Sequence, residues 1–199
     1  MNIIDSKLLE KIREAIYTQS LVRSITSKDN DAGMDLPIED FILVMQMLTP
    51  QSYGSRLEKR LIKQLGFNRI KSDKNMGDCE DSFGDQWEIK SSIINISNDC
   101  LNMVQIRPWQ DIKGYIVVVF DTRIDPIDIQ VYRLDKNQMD KECDLCSANS
   151  AHGTKNANKN NKNVELRFSI KIDKSDIAFQ RWQQYRSNFN FSSLERTKK

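Results

Sequence analysis

The chain has 199 residues, 39% hydrophobic and 29% charged, with a formal net charge of +2. That length can bury one sizeable core, and the balance is that of an ordinary globular protein. The near-neutral net charge says little about partners by itself, and no apolar run reaches the roughly 18 residues of a membrane span. The N-terminus "MNIIDSKLLEKIREA" is charged throughout. It has no apolar segment of the kind a secretion signal carries. Four unevenly spaced cysteines lead to the expectation of reduced thiols and a cytoplasmic setting.

In chain order, Leu8, Ile12, Ala15 and Ile16 recur at helical spacing and predict a helix over residues 6–25. "SKDNDAGMD" breaks it, and Pro37, followed by Glu39 and Asp40, opens a second helix. A third, over residues 52–64, stacks Leu57, Leu61 and Leu65 and closes at Gly66. The period then switches to alternation. Strands are predicted at 68–71, 86–96, 102–107, 114–121, 128–134 and 164–172, and further helices at 136–146 and 174–186. "YIVVVF", residues 115–120, is apolar throughout and reads as a central strand covered on both faces. Together these predict an α/β (α+β) fold with a mixed central sheet flanked by helices. The end, "SSLERTKK", reads as a frayed tail.

The most informative stretch is "GDCEDSFGDQWEIKSS", residues 77–92. On its strand, Glu88, Lys90 and Ser92 share one face while Trp87, Ile89 and Ser91 share the other. Trp87 and Ile89 suit a core, which leaves Glu88 and Lys90 on a working face. A link through "SFGD", with Gly84 free to take a positive φ, folds "MGDCED" back beside the strand. That brings Asp78 or Asp81 near Glu88. Paired carboxylates repel unless a proton or cation lies between them. Carboxylates that leave room for water are how Mg²⁺ is bound at phosphate-processing sites. The plain alternative is a surface hairpin with a salt-bridged Glu and Lys, a pair that contributes about 0–1 kcal/mol.

Gly77-Asp78, the hairpin containing Gly84, and Trp87-Glu88-Ile89-Lys90-Ser91 resemble the PD-(D/E)XK nucleases, most closely the small blunt-cutting type II restriction endonucleases. The resemblance covers about residues 53–121, with Gly77 where proline often stands. It implies a restriction-endonuclease-like fold in which Asp78 and Glu88 are metal ligands and Lys90 is the catalytic lysine. It also implies Mg²⁺ (Mn²⁺ substituting), sequence-specific cleavage of double-stranded DNA, a homodimer, and a partner DNA methyltransferase in a prokaryotic cytoplasm. Asp81 stands seven positions before Glu88, the shorter spacing of related mismatch-repair nicking endonucleases, and remains the alternative ligand. Glu58 on the third helix is either an additional carboxylate or a partner for a surface base. The rival readings are a structure-specific or mismatch-repair-type nuclease of this fold, and a non-catalytic DNA-binding module. On the nuclease reading the chain is one domain. Residues 1–50 form a helical arm, a candidate for dimerisation, 51–134 the catalytic core, and 135–199 a DNA-contact loop followed by a strand and helix.

Around this core, Met103, Gln105 and Arg107 are expected on one strand face and Val104 and Ile106 on the other. Gln105 and Arg107 are then candidate DNA contacts. The acid-free run "GTKNANKNNKN", residues 153–163, follows the only histidine. His152 and Lys155 are candidates there for base or phosphate contacts, beside the plain reading of a solvated loop. Cys143, Cys146 and His152 have the spacing of a partial zinc site. Against it, a fourth ligand is lacking nearby in sequence, and Met139, Cys143 and Cys146 form the buried stripe of a helix, which is the preferred reading.

Overall fold

A computed structural model of the chain describes residues 36–46, 50–71, 75–146, 149–150 and 163–188. The helix expected at 6–25 and the tail lie outside these residues. The chain divides into two compact units after Arg56, beyond the arm boundary expected at residue 50.

In the first unit, α1 (Ile38–Met45) starts after Pro37 and carries Glu39 and Asp40 in its first turn. Both acids favour the positive end of the helix dipole. It buries Ile38, Phe41, Ile42, Val44 and Met45. Helix α2 (Pro50–Leu65) begins before the division and continues into the second unit, where Leu57 and Leu61 are fully buried. It ends at Gly66, whose φ of +71° lets Phe67 N–H reach back to the Ile62 carbonyl at 3.1 Å.

The second unit continues with β1 (Asn68–Arg69), β2 (Cys79–Glu80), β3 (Gln86–Ile94), β4 (Cys100–Ile106), β5 (Gly114–Asp121) and β6 (Asp128–Asp135). After these come α3 (Lys136–Leu145), β7 (Asn149–Ser150), β8 (Val164–Ser169), α4 (Ile177–Trp182) and a 3₁₀ turn at Gln183–Tyr185. One sheet has the order β1-β2-β3-β5-β6, and a second has the order β4-β8-β7. Among the described residues only the β3–β5 pairing is parallel. The architecture is thus mixed α+β with a mixed central sheet. Every residue of β5 is buried, as its unbroken apolar run predicts for a central strand.

Alternation divides β5 between two interiors. Tyr115, Val117 and Val119 join Ile94, Leu101, Met103, Leu166, Met139 and Trp182 in the main core, while Ile116, Val118 and Phe120 are buried on the opposite face. At the far side of that core, the fully buried Glu142 accepts hydrogen bonds from Arg181 Nε, Trp182 Nε1 and Tyr185 Oη at 2.8–3.0 Å. These bonds tie α3 to the C-terminal turns.

Several expectations need correction. β4 does not alternate through residue 107: its pairing with β8 shifts between Met103 and Ile106, and Gln105 has a φ of +57°. The bulge inserts one residue, so Met103 and Ile106 both enter the core while Val104 and Gln105 are exposed. β8 stops at Ser169, short of the expected 172, because its partner β4 begins at the paired Cys100. β3 stops at Ile94, where Asn95 Oδ1 accepts the Ser97 and Asn98 amides and reverses the chain. The last helix is shorter than 174–186, beginning after Asp176 and tightening to 3₁₀ at Gln183. Strands β2 and β7 have two residues each, too few to show a period in the sequence.

Candidate active site

The acidic stretch forms the expected hairpin. Cys79 pairs with Trp87 and Glu80 with Gln86, and Gly84 has a φ of +83° at the turn. Gly77 permits the approach of the two chains, since a Cβ there would lie 2.5 Å from the Trp87 carbonyl oxygen. The ladder then changes character. The Asp78 amide donates to the Trp87 carbonyl at 2.9 Å, and its carboxylate Oδ2 accepts the Ile89 amide at 2.8 Å. Asp78 therefore brackets Glu88 from the neighbouring strand, with its carboxylate standing where a next strand carbonyl would be.

Register separates the two candidate aspartates. Glu88 and Lys90 pair with Tyr115 and Val117 of β5, so they lie on the main-core face; Trp87 and Ile89 pair with Gly114 and Ile116 and lie on the other. Asp81 belongs to the Trp87 face. Its Oδ1 accepts the Phe83 and Asp85 amides at 3.0 and 3.1 Å, and its Oδ2 accepts Trp87 Nε1 at 3.0 Å and Arg133 at 3.4 Å. Burial pushes this carboxyl up, but the Trp87, Phe83 and Asp85 donors and the Arg133 charge prevail and hold it below the usual carboxylate range. Arg133 also stacks 4.0 Å over the Trp87 ring. Asp81 shapes the hairpin with both oxygens already engaged.

The other face carries a different balance. Glu88 Oε1 accepts Lys90 Nζ at 2.6 Å, and the two side chains are only 4% and 14% exposed, so the pair is no surface salt bridge. A nearly buried ion pair is poor compensation for desolvation, and apolar side chains of similar size would serve the fold as well or better. Asp78 is raised from its ordinary 3.8 to about 7, first by burial, then by the charges of Glu88 and Glu58, against the pull of the Ile89 amide and Lys90. Glu58 is itself raised by burial and by Glu88, with Arg69, 3.4 Å away, opposing. Glu58 is thus the partner of a surface base, and its charge also reaches Asp78.

No known family model and no curated protein matches this sequence.

Hard oxygen donors with unrelieved mutual repulsion suit a small divalent cation. Among the described residues, no three His, Cys, Asp or Glu side chains close into a ready cage. Mg²⁺ does not require one, since it is usually held by one or two carboxylates, waters and substrate phosphate oxygens. Asp78 and Glu88 fit that arrangement, with Glu58 nearby.

Gln110, in the loop between β4 and β5, carries no periodicity or motif that marks it in the sequence, yet it is fully buried beside Glu88. Of the other candidates, Gln105 is exposed on the bulge. The Arg107 carbonyl accepts Tyr115 Oη at 3.3 Å and the Gln110 amide at 3.0 Å, so its main chain braces that loop. Cys143 is buried in the core with its thiol pushed up to about 12 by burial, and Cys146 Sγ accepts from Arg181 at 3.3 Å. His152 and Lys155 lie outside the described residues. No helix among the described residues is long and apolar enough to cross a membrane.

Proposed function

We propose that the chain is a Mg²⁺-dependent endonuclease acting on double-stranded DNA in the cytoplasm, in the manner of type II restriction enzymes. One observation carries the reading: Asp78, bonded to the main chain on either side of Glu88, stands beside that buried carboxylate, with Lys90 Nζ 2.6 Å from Glu88, and Asp78 is raised to about 7 by burial and like charge. Asp78 and Glu88 would hold the ion, with Mn²⁺ able to substitute. A bound Mg²⁺ supplies Lewis acidity at the scissile phosphate and a nucleophilic water near neutral pH.

The chain's own groups do the rest. Asp78, once ionised, and Glu88 would supply the carboxylate oxygens, and the Ile89 amide, donating to Asp78 Oδ2 at 2.8 Å, keeps that carboxylate oriented. Lys90 brings a positive charge within reach of an attacking water or a phosphate oxygen, where it offsets charge developing in the transition state. Cutting both strands calls for two such sites, which a homodimer on a two-fold symmetric target provides. A methyltransferase that modifies the same target is the expected functional partner.

The test is incubation of purified protein with unmethylated plasmids of varied sequence in Mg²⁺ or Mn²⁺. Discrete fragments are expected, with Asp78→Ala and Lys90→Ala abolishing cutting while DNA binding persists. Nicks, or a preference for branched DNA, would point instead to a structure-specific nuclease. Absence of cutting together with absence of Mg²⁺ binding would leave a non-catalytic DNA-binding module.

A further inference from the structure

We infer that Gln110 is a positioning residue that sets the Glu88 carboxylate relative to Asp78, an inference that rests on the metal-dependent reading of the site. Gln110 is fully buried. Its single side-chain nitrogen donates in two directions, to the Met76 carbonyl at 2.9 Å and to Glu88 Oε2 at 3.3 Å. Met76 lies two residues before Asp78. One NH₂ group therefore joins the backbone that delivers Asp78 to the carboxylate that faces it.

The orientation of the amide follows from its partners. Exchanging its oxygen and nitrogen would set an acceptor against both a carbonyl and a carboxylate, which is repulsive on both sides. The orientation that satisfies them leaves Gln110 Oε1 buried without a hydrogen-bond partner. A half-satisfied buried amide is worse for stability than an apolar side chain of the same volume. Its presence therefore points to the two donated bonds, not to packing, as the reason for a glutamine.

The loop is fixed to match. Lys136 Nζ donates to the Gln110 carbonyl at 2.6 Å, and the Gln110 amide donates to the Arg107 carbonyl at 3.0 Å. The Asp111 amide donates to the Asn75 carbonyl at 3.0 Å, a second tie to the segment leading into Asp78. Glu88 is left with one oxygen on Lys90 and the other on Gln110. The donor to Oε1 is charged and flexible, whereas the donor to Oε2 is neutral and held by its own backbone. Residues that orient a metal ligand in this way typically contribute about 10–100-fold to metal affinity.

The experiment compares the full-length protein with Gln110→Met, which keeps the volume but removes both donors. Mn²⁺ binding is measured by calorimetry without DNA, alongside thermal midpoints and steady-state cleavage. The Mn²⁺ dissociation constant is expected to rise roughly 10-fold or more. The kcat should fall while the KM for DNA stays near wild type, since Gln110 is buried. Lys136→Met, which loosens the loop without touching the carboxylates, should shift Mn²⁺ affinity in the same direction by less, and it keeps the comparison available if Gln110→Met does not fold. A wild type that binds Mn²⁺ and cuts, together with a Gln110→Met protein of equal affinity and kcat, overturns the inference alone, whether or not the midpoint falls. A wild type that neither binds Mn²⁺ nor cuts overturns the reading of the site and this inference with it.

Discussion

Asp78→Asn should make the metal-free protein more stable, and only above a defined pH. The carboxyl titrates at about 7 in the folded chain against an ordinary 3.8, first through burial and then through the charges of Glu88 and Glu58. Between those two values the folded state keeps a proton that the unfolded state has released. Stability therefore falls as pH rises through that window, and the deficit is complete above about 7. At ~1.4 kcal/mol per unit the ceiling is about 4 kcal/mol. Because Lys90 and the Ile89 amide act against the burial cost, a gain on the order of 2 kcal/mol is the working expectation. Asparagine preserves the acceptor for the Ile89 amide, 2.8 Å away, so the change is chiefly one of charge. Urea unfolding in EDTA at pH 4 and pH 8 reads the effect: wild type and variant should be close at the lower pH and separate at the higher, with the variant ahead. Equal stability at pH 8, or the same difference at both pH values, would refute the assignment of repulsion to this site.

Asp81→Ala should do the opposite. It strands the buried Trp87 indole N–H and two turn amides, which at about 1–3 kcal/mol for the first and ~1 kcal/mol for each other bond amounts to roughly 3–5 kcal/mol. Thermal melts would show that loss, while calorimetry on the protein that remains folded should find Mn²⁺ affinity near wild type. Retained stability with lost metal binding would transfer the ligand role to Asp81. Gly77→Ala should open the hairpin, because its new Cβ meets the Trp87 carbonyl oxygen at 2.5 Å and the carbonyl carbon at 2.7 Å. Lower stability and lost cleavage are expected together, and a variant with wild-type melting and activity would show that the two chains need not pack this closely.

Much of this architecture could be read from residue pattern, and the parts that could not have physical reasons. The pattern marks both ends of β5, because two buried faces leave an unbroken apolar run between Gly114 and Asp121. The hairpin was legible because Gly84 marks a turn and Glu88-x-Lys90 marks a face. The sides taken by Asp78 and Asp81 were not, since spacing along the chain measures reach but not side; the pairing of β2 with β3, Cys79 opposite Trp87, puts Asp81 on the Trp87 face and Asp78 opposite Glu88. The bulge at Gln105 escaped because alternation carries no signal for one inserted residue. The length of β8 depended on where β4 begins, a property of its partner. Gln110 was missed for the same kind of reason: its role comes from residues 76 and 88, distant in sequence, arriving at one amide.

The interrupted ladder between β2 and β3 gives the site its own spectroscopic probe. The Ile89 amide hydrogen is donated to a carboxylate oxygen of Asp78. Its chemical shift and its exchange with solvent therefore register the charge and position of that one side chain. In the ¹⁵N-correlated spectrum of uniformly labelled protein, a single backbone resonance should follow protonation of Asp78 and then the arrival of a cation, without any chemical tag attached in the site.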